Sequence, residues 1–227
     1  MEQFSLKNQI EKVIRGENTL FLNPNEVKYV QNALNKKNID YKIFKPYIES
    51  EKNIIYTSNI GVSLIEIKTS SILTHREILG ALFSHNINDS FFGEIVISDK
   101  YYILVLEALK NYLIENLNYI GNKKVELVEA DLESISNYKL KFKSIKVNVN
   151  SLRIDNIISK LLPTSRAVAN ELIKDKMVIL NYELLKSKVV LLKEGDVFSI
   201  RKIGKFKLIN IQLNKNNKYT LEINKYI

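Results

Sequence analysis

SLRIDNIISKLLPTSRAVANELI, residues 151–173, is the stretch from which the rest of the chain is read. It predicts two short helices separated by Pro163. In the first, Ile154, Ile157, Ile158, Leu161 and Leu162 fall on the i, i+3, i+4, i+7, i+8 stripe of a core-facing helix, with Ser151 placed to cap it. In the second, Thr164 or Ser165 can cap, Val168, Ala169, Leu172 and Ile173 form the inner side, and Arg166 and Lys174 stay outside. Arg153 and Arg166 then both fall in a first helical turn, where the dipole is positive and a carboxylate would be the stabilising choice. Asp155 is two residues from Arg153, a spacing that does not bring side chains face to face on a helix. The two arginines therefore have no partner legible in the sequence. Free N–H groups at a helix start attract a phosphate oxygen, and a guanidinium can close over it as a bidentate donor. The pair predicts two phosphate seats, against the plainer reading that each stem only covers apolar surface.

Charge points the same way. From residue 139 to the end there are 19 Lys+Arg against 7 Asp+Glu, or +12; residues 1–138 hold 15 against 18, or −3; the sum is the chain's +9. A compositional lysine bias would be uniform, and this excess is not. A basic module on a nearly neutral body is the electrostatic footprint of a phosphate-backbone binder. Within KLKFKSIKVNV, Lys139, Lys141 and Lys143 alternate with Leu140 and Phe142. That period of two predicts a strand with its lysines on one face, either guarding an edge or facing phosphate. After the helices, short β-like runs are separated by turns at Asn181-Tyr182, Glu194-Gly195-Asp196 and Gly204. They are punctuated by Lys186, Lys188, Arg201, Lys202, Lys205 and Lys207.

Upstream, residues 61–130 alternate as VSLIEIK strand, THREILGALFSHN helix, EIVIS strand, YYILV strand, LEALKNYLIENL helix and KKVELVEA strand. This β-α-β-β-α-β order is the ferredoxin-like plan shared by RNA-recognition domains and by many unrelated modules. Base stacking on such a sheet needs aromatics on the central strands, and only Tyr101 and Tyr102 qualify. Adjacent strand residues point to opposite faces, so one tyrosine is expected in the core and at most one is available to stack. The first sixty residues predict a small α+β module. One helix carries Leu6, Ile10, Val13 and Ile14 inward, and a second follows Asn23-Pro24 with Val27, Val30 and Leu34 inward. Two short strands follow at 39–44 and 53–57.

The helix-helix-sheet order from 151 to about 200, with SLRID, SRAVANELI, a V-x-x-N turn and EGD in series, resembles the RNA-binding domain named after ribosomal protein S-four. Arg153, Ser165, Arg166, Lys174 and Lys188 occupy positions that face RNA in such domains. Two residues depart from the pattern: Lys176 stands where the family has Gly in LI-x-x-G, and Tyr182 where it has Gly after Asn. With LTHREILGALFSHNIND, FFGEIVISD, YYILV and RKIGKFKL added, the chain resembles the YlmH family of bacterial proteins over most of its length. That resemblance implies an α+β protein of three parts: an N-terminal α/β module (1–60), a ferredoxin-like, RRM-like domain (61–138) and a basic S-four-type domain (139–227). It implies a non-catalytic RNA binder on the ribosome; the cytoplasmic location expected for the chain comes instead from its polar start and short apolar runs. Its partners would be rRNA, tRNA and the large subunit, and its roles rescue of stalled subunits or a link to cell division. The expected RNA-binding set is Arg153, Ser165, Arg166, Lys174, Lys176, Lys186, Lys188, Arg201, Lys202 and Lys205.

Other function classes find less support in the residues. There is no cysteine, hence no thiolate chemistry or disulfide framework. The polar start MEQFSLKNQIEK lacks the regions of a signal peptide. The longest apolar run, Tyr101–Leu106, is far too short to cross a bilayer, so no membrane partner is expected. Thr74-x-x-Glu77 before an apolar stripe is a capping box. His75 and His85 are ten apart in the sequence, which does not stack them as a metal pair. The seven glycines make no G-x-G-x-x-G, phosphate-binding loop or G-x-S-x-G elbow. No catalytic residue, metal or cofactor is therefore expected. The alternatives are an RNA-modifying enzyme whose basic domain delivers substrate, and an adaptor whose N-terminal half docks a protein partner.

Overall fold

The computed structural model describes residues 2–215 and 217–227, the first three of them as backbone only. Contacts divide the chain into two units, Met1–Lys139 and Leu140–Ile227. Both mix helix and sheet, and the protein is of the α+β class.

The first unit begins with helices α1 (Glu2–Ile14) and α2 (Pro24–Lys36). The start of α2 follows from its sequence. Asn23 Oδ1 accepts from the Asn25 and Glu26 N–H groups at 3.0 and 3.1 Å, and the Glu26 carboxylate accepts the Asn23 N–H at 2.8 Å. Pro24 sits where a missing N–H costs nothing. Val27, Val30 and Leu34 pack against Ile10 and Val13 of α1, as their spacing predicts. Ile14, on the expected inner face, is 37% exposed at the last residue of α1. A hairpin follows, β1 (Lys42–Phe44) against β2 (Ile54–Tyr56).

Next come β3 (Val62–Lys68), α3 (His75–Ser84), β4 (Phe92–Ile97), β5 (Tyr101–Leu106) and α4 (Glu107–Asn116). A short hairpin of β6 (Tyr119–Ile120) and β7 (Lys123–Lys124) leads into β8 (Glu126–Ala130). Thr74 and Glu77 form the expected capping box on α3. The four long strands make an antiparallel sheet in the order β4-β5-β3-β8. One face carries Ile65, Ile67, Ile103 and Val105 against Ile78 and Leu82 of α3 and Leu113 of α4.

The alternate residues Leu64, Val96, Tyr102 and Leu104 point to the second face, and all four are buried too. The contacts that close this face come from residues 21–52. The Phe21 N–H donates to the Ser90 carbonyl at 2.9 Å. Glu94 Oε1 accepts from Ser50 Oγ at 3.0 Å and from the Glu51 and Lys52 N–H groups at 2.8 and 3.0 Å. Neither strand tyrosine is therefore presented for base stacking. Tyr102 lies under this cover, and Tyr101 packs on the helix side, where its hydroxyl accepts the Leu73 N–H at 3.1 Å.

Gly93 is where this cover comes closest. A Cβ there would stand 2.6 Å from Phe21 Cε1 and 3.0 Å from Leu104 Cδ2. Gly93→Ala is expected to destabilise the unit by about 2 kcal/mol, an overpacking cost. A thermal melt checks this, and an unchanged melting temperature would mean that Phe21 does not press on the sheet.

The second unit runs β9 (Phe142–Val149), α5 (Ile154–Leu161), α6 (Arg166–Lys174), β10 (Val178–Leu180), β11 (Glu183–Leu184), β12 (Val197–Ile200), β13 (Gly204–Leu213) and β14 (Tyr219–Tyr226). These strands form a six-stranded antiparallel sheet in the order β11-β10-β12-β13-β14-β9. Its inner face packs Val178, Phe198, Ile200, Phe206, Leu208, Leu221 and Ile223 against Ile154, Ile157 and Ile158 of α5 and Ala169 and Ile173 of α6. The expected α5 stripe is thus the core stripe. Val168, expected inward on α6, is 43% exposed. β9 is an edge strand whose ladder begins at Phe142, so of the three alternating lysines only Lys143 is in the strand and Lys139 and Lys141 precede it. β10 and β11 are joined by Asn181-Tyr182 with φ of +47° and +68°, a two-residue turn of the kind that matches strand twist. No helix among the described residues is long and apolar enough to cross a membrane.

Candidate nucleic-acid interface

The geometry at the start of α5 differs from the sequence expectation. Arg153 occupies the N-cap with extended backbone, φ −61° and ψ 136°, rather than the first helical turn. Ser151 does not cap the helix; its Oγ accepts the Arg153 N–H at 3.3 Å. Because Arg153 is outside the helix, the spacing rule for helical side chains does not apply, and its guanidinium swings onto Asp155. Nε donates to Oδ1 at 3.1 Å and Nη2 to Oδ2 at 2.8 Å. The Asp155 side chain is 3% exposed and that of Arg153 35%. Arg153 therefore has a buried structural partner.

Burial by itself pushes the Asp155 carboxyl up. The Arg153 hydrogen bonds and charge, the Asn156 N–H and the Arg166 charge more than offset this and hold the carboxyl below the usual carboxylate range. Arg153 is thus held by a buried counter-charge, while the Arg166 charge makes the smallest of these contributions. Arg166, the first residue of α6, is exposed. Ser165 is its N-cap, with Oγ accepting the Val168 N–H at 3.2 Å.

At the other end of α6 the expected cations do converge. Lys174 in the last turn, and Lys186 and Lys188 in the loop after β11, line one open concavity of about 450 Å³, together with Asn170 and Glu171. Lysines at a helix C-terminus complement its dipole. Lys176 follows the helix with φ +57°. Its N–H donates to the Ile173 carbonyl at 3.1 Å, and the Met177 N–H to the Leu172 carbonyl at 2.9 Å, a Schellman closure that favours glycine. Lys176 and Tyr182, which stand where the resemblance has glycine, both adopt the left-handed backbone that glycine would take. Lys176→Gly is therefore expected to stabilise the unit by about 1 kcal/mol, seen as a higher melting temperature, while weakening RNA affinity by one cation. A gain in stability with unchanged RNA binding would remove Lys176 from the interface.

Arg201 and Lys202 are exposed on the turn from β12 to β13. Lys205, on β13, is half-buried; its Nζ lies 5.5 Å from the Tyr182 ring centre and 4.9 Å from that of Tyr226. The pairing of Asp155 with Arg153, and of Tyr182 and Tyr226 with Lys205, is not read from the sequence. Asp155 became legible only once Arg153 was seen as a cap, and the tyrosines only once the strand register was known.

Comparison with known proteins adds to this geometry. Residues 56–134 match the family model described as "Putative RNA-binding domain in YlmH". The chain is 26% identical over 171 residues to "Ribosome-associated protein quality control protein P2" of Bacillus subtilis (strain 168), an alignment covering 75% of this chain and 66% of that relative. The chain is YlmH-like. It spans just under two thirds of that relative's length. The matched domain model covers the four-stranded sheet of the first unit, so the cations of the second unit lie outside it. A solved structure, "Cell division protein ylmH from Streptococcus pneumoniae", superposes with a TM-score of 0.50 over 60% of this YlmH-like chain and 94% of that one. At 16% identity, this is a likeness of fold.

Proposed function

We propose that the protein is a non-catalytic RNA binder of the cytoplasm that docks on structured rRNA and tRNA of the ribosome, on the large subunit, and acts when subunits stall. The observation that carries this reading is the convergence of Lys174, Lys186 and Lys188 on one open concavity. The unit that holds it has 18 Lys+Arg against 7 Asp+Glu over residues 140–227, or +11. Such a surface binds phosphate backbone, which positions an RNA more than it specifies a sequence. The RNA-binding description of the family model and the ribosome-associated name of the relative support the same class.

Within this proposal the chain has three modules, 1–60, 61–138 and 139–227. The sheet order β4-β5-β3-β8 reads as ferredoxin-like, and residues 139–227 read as S-four-type. Arg166, Lys174, Lys176, Lys186 and Lys188 make the principal phosphate contacts. Arg201, Lys202 and Lys205 extend the cationic surface, Ser165 caps α6, and Arg153 contributes chiefly by orienting the start of α5.

Co-sedimentation with 70S ribosomes and with separated subunits at low and high salt tests the proposal. Salt-sensitive recovery with the large subunit is expected. Recovery with the small subunit alone, or with neither, would overturn it.

A further inference from the structure

The first unit closes both faces of its four-stranded sheet, but the outer face of the six-stranded sheet is open. Over β9, β14 and β13 its outward rows are Phe142–Tyr226, with Lys205 Nζ over the Tyr226 ring, then Ser144–Asn224–Lys207, Lys146–Glu222–Asn210 and Asn148–Thr220–Gln212. The register shift between Leu208 and Asn210 is what brings Asn210 and Gln212 onto this face. Ser144, Lys146, Asn148 and Gln212 are exposed, and the other members of these rows are half-buried. A shallow depression of about 70 Å³ lies among Lys146, Asn210, Gln212, Thr220 and Glu222.

We propose that this outer sheet face binds single-stranded RNA, as a site separate from the concavity beside α6. The inference rests on the RNA-binding reading above and adds a second class of RNA on a second surface.

Three features favour RNA as the occupant. The first is charge: Lys146, Lys205 and Lys207 stand against one acid, Glu222, within a unit of net +11. Over β13, β14 and β9 this face is charged and amide-rich, which makes that part a poor protein interface, because the centres of such interfaces are depleted of charge; the exposed apolar residues of the same face, Ile179 and Leu184, lie apart on β10 and β11. The second is chemistry. Asn148, Asn210, Asn224 and Gln212 are amides, the group that carries both donors and acceptors for base edges. Phe142 and Tyr226, packed edge to face at 5.0 Å, supply half-exposed rings at one end. Lys205 is held beside them by the Tyr182 and Tyr226 rings, ready to meet a phosphate.

The third is shape. Outward residues along a strand repeat about every 6.8 Å, which suits an extended strand of nucleotides with its bases splayed onto the sheet. Sheets of RNA-recognition and OB domains present polar and aromatic side chains to single strands in this way. The sheet of the first unit does not present its tyrosines in this way, because Tyr102 is buried and Tyr101 is half-buried against the helix side.

The test uses the full chain and a fluorescein-labelled oligouridylate of about 10 nucleotides, within the usual site size for a single-strand-binding module. Anisotropy is measured for the wild type and for Lys146→Glu/Lys207→Glu. The expected result is a loss of oligonucleotide affinity of about tenfold or more with large-subunit binding unchanged. Equal oligonucleotide affinity in the two proteins would overturn the inference. Ultraviolet cross-linking of the wild type provides a test that needs no variant: cross-links in β13 and β14 support the site, and cross-links confined to α6 and the loop after β11 overturn it. Large-subunit binding without any oligonucleotide binding would sink this inference alone. Binding to neither would sink the proposed function with it.

Discussion

Asp155→Ala is expected to lower the stability of the second unit by about 2–3 kcal/mol, read as a fall in the denaturation midpoint. The carboxylate is buried at the start of α5, where it accepts two bonds from Arg153 and one from the Asn156 N–H at 2.8 Å. Hydrogen bonds to a charged group contribute about 1.5–3 kcal/mol each in favourable sites, and water can take over part of the loss here because the guanidinium reaches solvent. The same group sets a pH dependence. Its pKa is held below the unfolded value of 3.8, so its contribution is present above about pH 4 and is lost as the pH falls through the lower folded value. Asp155→Asn should therefore lose less stability than the wild type on acidification below pH 4. Parallel acid-unfolding curves for the two proteins would show that the carboxylate is not held down by Arg153. Arg153→Ala should also lower the melting temperature, so the effect of this arginine on RNA binding is interpretable only at a temperature where the variant is folded.

Replacing Lys174, Lys186 and Lys188 together by alanine should weaken binding to the large subunit by about 100-fold near 0.1 M salt, and should reduce the slope of log affinity against log salt by about 2–3. All three line the same concavity, so one phosphate tract can meet them together. They are exposed and removed from the apolar core, so the variant should melt with the wild type. Equilibrium binding by light scattering or fluorescence checks both numbers. A triple variant that binds as the wild type does would place the interface elsewhere on the second unit.

The order of elements was legible because it depends on local pattern. The switch between periods of two and 3.6 located β3, α3, β4, β5, α4 and β8. Pro163 and the apolar stripe located α5 and α6. What was not legible depends on local exceptions or on distant partners. Arg153 looked unpartnered because a helical spacing rule was applied to a residue that proves to be an extended N-cap. Tyr102 looked like a stacking candidate because nothing within YYILV reports that residues 21–52 fold back over its face of the sheet; Tyr101 lies on the other face, against the helices. The grouping of Lys174 with Lys186 and Lys188 depends on the path of an irregular loop, to which periodicity is blind. Lys176 and Tyr182 are a subtler case: the positions read as departures from glycine keep a glycine-like backbone, so the turn geometry is retained at some cost in strain.

Docking of the cationic second unit on ribosomal RNA through phosphate contacts carries a salt signature. Its most direct test is the salt dependence of wild-type affinity for the isolated large subunit, measured from about 50 to 200 mM monovalent salt. A log–log slope of about −3 or steeper is expected, the signature of several phosphates neutralised at once. A slope near zero, with affinity intact at high salt, would contradict it.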